Sequence, residues 1–206
     1  MTITTALIQE LREKTGAGIL DCRQALEQAH GDLDKAADLL RQKGLAAAMK
    51  RAHRETRNGV LELYTHGDGR VGVMVEVNCE TDFVARTKEF RKFAHEIALQ
   101  IAANAPRYLR VEDIPQAVLE VERKEVREKA LADGKPDPAI ERILESRMEK
   151  YAEEYCLLRQ PYIRDETKSV EQLLQEVIAT TGENVAIRRF VRWMVGELQE
   201  ESTGPT

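Results

Sequence analysis

The sequence predicts an α+β fold: a three-helix module, followed by a small antiparallel three-stranded sheet packed with helices. Three observations carry this expectation. The first 44 residues hold three short segments of helical periodicity punctuated by glycine. Two segments between residues 60 and 77 alternate at period two around a glycine-containing connection, and a third alternating segment follows Gly182. With 206 residues the chain is long enough for one or two domains and a sizeable core. The expected division is 1–44 for the three-helix module, 45–57 for a basic helical linker, 58–198 for the α+β core and 199–206 for a flexible tail.

In the module, Ala6, Leu7, Glu10 and Leu11 give the first helix a half-apolar stripe, and Thr15-Gly16-Ala17-Gly18 stops it. Ala25, Leu26 and Ala29 line the second helix, which ends at Gly31. Asp32 then caps a third bearing Leu33, Ala36, Ala37 and Leu40, with Gly44 expected to close it. So small a core implies marginal independent stability. The Gly16-Ala17-Gly18 stretch is no dinucleotide site, because it follows a helix instead of a strand and lacks the third glycine.

Between residues 41 and 57 the composition turns basic: Arg41, Lys43, Lys50, Arg51, Arg54 and Arg57 stand against one acid, Glu55. Contact with RNA or an acidic partner is one reading. The absence of interleaved aromatics favours the other, a solvated linker helix.

Val60–Thr65 and Val71–Val77 read as two strands joined by His66-Gly67-Asp68-Gly69-Arg70, a hairpin connection. Val71, Val73, Val75 and Val77 share one face of the second strand, and Gly72, Met74 and Glu76 the other. Phe90, Phe93, Ala94, Ile97 and Ile101 then recur at helical spacing, in a helix starting near Phe83 or Thr87 and ended by Pro106. His95-Glu96 within it is not a metalloprotease motif, since Leu99 stands where the second histidine belongs. From Val111 to Tyr155 the sequence is helical and highly charged. Asp137-Pro138 marks a helix start, with Ile140, Ile143, Leu144, Tyr151 and Tyr155 on its apolar face. Ser169 and Gln172 form a capping-box pattern ahead of Leu173, Leu174, Val177 and Ile178, and Gly182 ends that helix. Val185, Ile187, Val191, Trp193 and Val195 alternate as the third strand, which a lone hairpin needs for stability.

Composition restricts function. The net charge of −5 makes a general nucleic-acid binder unexpected, because that affinity comes largely from neutralising phosphates. No apolar run is long enough to span a bilayer, and the N-terminus lacks a signal-peptide pattern, so a cytoplasmic location away from membranes is expected. Cys22, Cys79 and Cys156 are odd in number and far apart, which fits reduced, mostly buried thiols better than a disulfide framework or a metal site. No Walker loop, metal-ligand cluster or paired nucleophile and base appears. The expectation is therefore a protein without cofactor or covalent chemistry that acts by binding.

Where it acts is suggested by Asn78-Cys79-Glu80-Thr81-Asp82-Phe83-Val84, across which the period changes from 2 to 3.6. At such a strand-to-helix corner the Asp82 carboxylate can cap the following helix, and Phe83 can turn into the core or out of the surface. The string at 78–85, together with Thr15-Gly16-Ala17-Gly18-Ile19-Leu20-Asp21-Cys22, Gly134-Lys135-Pro136, Gln160-Pro161-Tyr162-Ile163 and Gly182-Glu183-Asn184-Val185-Ala186-Ile187-Arg188-Arg189, closely resembles the elongation factor Ts family. These strings stand in the family's order and span nearly the whole chain.

The resemblance implies a guanine-nucleotide exchange factor for the translational GTPase elongation factor Tu, with a ubiquitin-associated-like fold for the N-terminal module. It implies that Thr81, Asp82, Phe83 and Val84 lie against the GTPase near its magnesium and phosphate site, with Phe83 as a wedge. Ile19, Leu20, Tyr162 and Ile163 would grip its GTP-binding domain, although Ile19 and Leu20 fit the module's own core equally. A second function remains open, that of an adaptor holding a protein partner through the ubiquitin-associated-like module. It accounts only for the first 44 residues. Longer members carry a duplicated core and a helical hairpin insert, whereas this chain has one core copy. The half-sized core suggests a homodimer with the sheet, or the strand from Phe190 to Val195, near the interface. No cysteine lies in that strand to make such a dimer covalent.

Overall fold

The structure, a computed structural model, describes residues 3–197; the flexible tail expected over 199–206 lies outside the described residues. The fold is α+β. In chain order it runs α1 (Thr5–Thr15), α2 (Ile19–Gln28), α3 (Leu33–Arg51), β1 (Asn58–His66), β2 (Val71–Cys79), α4 (Asp82–Ala85), α5 (Lys88–Asn104), α6 (Gln116–Ala132), α7 (Asp137–Tyr155), β3 (Pro161–Tyr162), β4 (Asp165–Ser169), α8 (Val170–Thr181) and β5 (Val185–Met194). Two compact units result. The first holds the chain up to Val60, Val77–Phe93 and Glu171–Ile187; the second holds Leu61–Glu76, Ala94–Val170 and the chain from Arg188 on.

In the first unit, the Thr4 hydroxyl accepts from the Leu7 N–H at the start of α1, and the Asp32 carboxylate accepts from the Asp34 and Lys35 N–H groups at the start of α3. Leu11, Cys22, Ala25, Leu26, Ala29 and Ala36 form the module's buried core. Gly44, expected to end α3, lies inside it, and the helix continues to Arg51. A Cβ at residue 44 would stand 3.0 Å from the Ala179 Cβ. This glycine therefore serves the close approach of α3 to α8, and not chain termination.

β1, β2 and β5 form one sheet in the order β1-β2-β5. The connection from His66 to Val71 is too short for a crossover, so β1 and β2 are antiparallel. β5 also runs against β2: the Asn184 N–H, at its start, meets the Glu80 carboxylate past the end of β2, while the Val195 N–H, at its end, meets the Arg70 carbonyl ahead of β2. Gly59 is required where β1 passes β2, because any Cβ there would run into the Val77 carbonyl. Val73, Val75, Val77 and Cys79 are buried, as are Phe90, Phe93, Ala94, Ile97 and Ile101 along α5. The helix expected from near Phe83 or Thr87 is in fact the single turn α4 followed by α5, with the Thr87 hydroxyl accepting from the Phe90 N–H.

In the second unit, α6 and α7 pair as a helical hairpin closed through Gly134, with Ala130, Ile140 and Leu144 buried between them and Ile143 exposed. Pro136, not Asp137, precedes the first residue of α7, and no side chain caps that end. Ile114, Tyr151, Ala152 and Cys156 form a further buried cluster. Glu62 of β1 bonds His95 of α5 at 2.9 Å, and the Arg192 guanidinium of β5 reaches the Ala102 carbonyl of α5 at 3.4 Å. These contacts identify the helix-covered face of the sheet. Val185 and Ile187 are buried, yet Arg192 turns toward α5, so the alternation expected through Val195 changes phase within the strand. The two-stranded β3-β4 sheet, with Pro161 opposite Ser169 and Tyr162 opposite Asp165, adds a feature that the charged sequence did not announce. Among the described residues no helix is long and apolar enough to cross a membrane.

Candidate functional site

The strand-to-helix corner at 80–85 is a single turn held from outside. Thr81, not Asp82, is the N-cap of α4: its backbone is extended, and its hydroxyl accepts from the Val84 N–H at 3.4 Å. Asp82 occupies the first helical position and pairs with Arg86 at 2.9 Å on the surface. The single turn directs Ala85 inward, where it is buried, and Phe83 outward, where 80% of its surface is exposed. Val84 is half-buried. An aromatic ring displayed to that degree contributes little to its own core.

Two side chains fix Thr81. One Glu183 carboxylate oxygen accepts from the Thr81 N–H at 3.0 Å, and the other accepts from the Thr81 hydroxyl at 2.6 Å. Such bonds to an ionised acceptor are shorter and stronger than neutral ones. The Cys79 thiol points at the Thr81 carbonyl, 3.1 Å away. Burial pushes the Cys79 thiol up to about 11, with Glu183 adding to the effect, so at neutral pH it keeps the proton it donates.

A second layer holds the first. Glu80 accepts from the Asn184 N–H at 2.6 Å and from the Arg54 guanidinium at 3.3 Å. The Asn184 N–H first, and then Arg54, hold the Glu80 carboxyl below the usual glutamate range. The Asn184 side chain donates to the Arg54 carbonyl at 2.8 Å, and the Asn58 side chain donates to the Glu80 carbonyl at 2.7 Å. The Gly182-Glu183-Asn184 string therefore acts here: Gly182 ends α8 in the left-handed conformation, and the next two residues each bond the corner. Sequence reasoning singled out this string without finding its local role; it placed Glu80 in the corner stretch without giving it one, and it connected neither Arg54 nor Asn58 to the site. The available signal was a pair of polar residues between a helix-ending glycine and a strand.

Ile19 and Leu20 lie in the first turn of α2, in the same unit as Phe83; they are 57% and 75% exposed and do not belong to the module's core. Tyr162 and Ile163 lie in the other unit. Tyr162 departs from the expectation of a surface contact. It is only 8% exposed, and its hydroxyl donates to Glu96 at 2.9 Å. Burial, and then the bond to Glu96, push that hydroxyl up to about 12. Glu96 also pairs with Arg164 at 2.6 Å, and Gln100 accepts from the Ile163 N–H at 2.9 Å. This segment is anchored through Tyr162, leaving the half-buried Ile163 side chain as its outward candidate. All three cysteines are free and buried.

The family description Elongation factor TS matches residues 33–197. Among curated proteins, the chain is 56% identical to Elongation factor Ts of Carboxydothermus hydrogenoformans over 195 residues, covering 95% of this chain and 90% of that one. It is 55% identical to Elongation factor Ts of Thermoanaerobacter sp. over 201 residues, covering 98% of each. Elongation factor Ts of Thermodesulfovibrio yellowstonii is 52% identical over 201 residues, covering 98% of this chain and all of that protein.

Proposed function

The chain belongs to the elongation factor Ts family, and from that premise we propose that it is a guanine-nucleotide exchange factor of translation elongation. It binds elongation factor Tu carrying GDP, disturbs the magnesium and phosphate site, and promotes GDP release so that GTP can bind. The observation that carries this reading is Phe83: a large apolar ring, 80% exposed, on a turn whose preceding residue is tied down by two bonds to Glu183.

A GTPase holds GDP through backbone N–H groups on its phosphates and through magnesium, and release is slow until those contacts loosen. A partner that binds the empty GTPase more tightly than the loaded one weakens the nucleotide by the same factor. Loosening a thousandfold requires about 4 kcal/mol. Burying one Phe contributes about 1.5–3 kcal/mol, so Phe83 needs help. Exposed Ile19 and Leu20, and Ile163, are the apolar groups suited to give it, with the N-terminal module adopting the ubiquitin-associated-like role the family suggests. Thr81 and Asp82 hold the turn, and Val84 extends the contact. The action is binding, without covalent chemistry, cofactor or direct nucleic-acid contact, in the cytoplasm.

The working form is a homodimer. On the sheet face turned away from α5, Leu61, Leu63, Met74 and Trp193 are exposed across three adjacent strands. Apolar residues gathered in that way mark an interaction surface. The deciding experiment follows release of labelled GDP from elongation factor Tu with and without this protein. Acceleration supports the exchange function, and an unchanged rate with retained binding supports the adaptor instead.

A further inference from the structure

We propose that Glu183 is a positioning residue for nucleotide exchange, clamping Thr81 through both carboxylate oxygens and so fixing the direction in which Phe83 is presented. The inference rests on the exchange reading of Phe83, and it concerns a residue that touches neither the ring nor any nucleotide.

Three observations lead to it. First, α4 is four residues long, and a single turn fixes several dihedrals for few backbone bonds: the Ala85 N–H to the Thr81 carbonyl and the Arg86 N–H to the Phe83 carbonyl, both at 3.3 Å, and the Thr87 N–H to the Val84 carbonyl at 3.0 Å. The Thr87 and Arg91 side chains tie the C-terminal side of the turn, at the Val84 and Ala85 carbonyls, so its N-terminal side depends on Thr81. Second, an 80% exposed ring has no packing of its own to set its direction, so the direction must come from the backbone that carries it. Third, that backbone is held by a residue 102 positions away, whose two oxygens engage the N–H and the hydroxyl of the same residue, at 3.0 and 2.6 Å. The hydroxyl gives its only proton to Glu183 while its lone pair receives the Val84 N–H. One carboxylate thereby orders the residue before the turn and the cap of the turn together. Ordering the turn in advance removes a conformational cost that would otherwise fall on the complex.

Glu183→Ala leaves the Thr81 N–H without its partner and frees the hydroxyl. Glu183→Gln preserves the clamp, since its oxygen accepts the Thr81 N–H and its amide donates to the Thr81 oxygen. Two measurements on the full-length protein test the role. In amide hydrogen exchange, Glu183→Ala is expected to lose protection selectively over residues 81–87, with β1 and β2 unchanged, and Glu183→Gln to restore it. In GDP release from elongation factor Tu, Glu183→Ala is expected to lower the maximal rate about tenfold, equivalent to about 1.4 kcal/mol. The half-saturating concentration should stay within about twofold, because Ile19 and Leu20 still dock. Combined with Phe83→Leu, the Glu183→Ala effect should shrink, as expected of residues acting through one group.

Unchanged protection, or a loss spread over the whole chain, overturns the clamp. Full activity of Glu183→Ala, or an equal fractional slowing in the Phe83→Leu background, overturns the positioning role while leaving the exchange function standing. Failure of the unaltered protein to accelerate GDP release overturns the exchange reading itself, and the positioning role with it.

Discussion

Phe83 and Thr81 stand two positions apart and do opposite things. Phe83 is exposed and owes nothing to its own core, so Phe83→Ala should leave circular dichroism and melting temperature unchanged while sharply slowing GDP release; a mutant that unfolds would make the ring structural. Thr81→Ala removes a cap and a partner of Glu183, and should cost about 1–2 kcal/mol in a denaturant titration. Asp82→Ala removes only a surface pair with Arg86, worth less than about 0.5 kcal/mol. Comparing the two variants identifies which side chain caps the turn. Glu80 adds a pH dependence. Its folded-state carboxyl titrates below the usual range because the Asn184 N–H and Arg54 favour the ionised form. A depressed acid contributes stability that is complete above its unfolded-state pKa and lost as pH falls through the folded value. Melting temperature should therefore fall on acidification through and below the usual glutamate range, and Glu80→Gln should flatten that part of the profile.

At the scale of elements, periodicity carried the sequence reading where a face is buried. The valines of β2 and the phenylalanine–isoleucine stripe of α5 are buried as the spacing implied, and the change of period between them located the corner. Four features escaped because nothing local encodes them. Gly44 sits inside α3 because another helix passes it, a tertiary fact invisible in the glycine itself. β4, Asp165–Ser169, has no apolar residue to alternate, and Tyr162 looked like a surface contact until the structure paired it with Glu96. The Thr81–Glu183 clamp joins residues 102 apart, a distance no spacing rule spans. Gly59 offers a direct test of an element junction. Its φ is 154°, and a Cβ would strike the Val77 carbonyl, so β1 cannot keep its place beside β2 with any larger residue. Gly59→Ala should lower stability by about 1–3 kcal/mol, read as a shift in urea midpoint at constant slope.

For the whole molecule the question is what covers the open face of the sheet. Leu61 and Leu63 project from β1 on the side opposite Glu62, which bonds α5, and Met74 projects opposite the buried Val73 and Val75. Trp193, 64% exposed, follows Arg192, which turns to α5, and so joins them. Beside this apolar set the pair Glu76–Arg189, at 2.8 Å, supplies a polar edge. An apolar centre with a charged rim suits a second copy of the same surface, since a two-fold axis sets each patch against itself. A dimer formed in this way would need no disulfide, since Cys22, Cys79 and Cys156 are all free and buried. Light scattering should thus report a dimer with and without reductant. Leu63→Glu should convert it to a monomer with unchanged circular dichroism, since this exposed side chain adds little to its own subunit's core while a carboxylate at the centre of the interface would lose its water. If exchange needs both copies, GDP release per chain should fall with that variant and, for the unaltered protein, on dilution below the dimer dissociation constant. A monomer at every working concentration would instead leave the single sheet to meet the GTPase by itself.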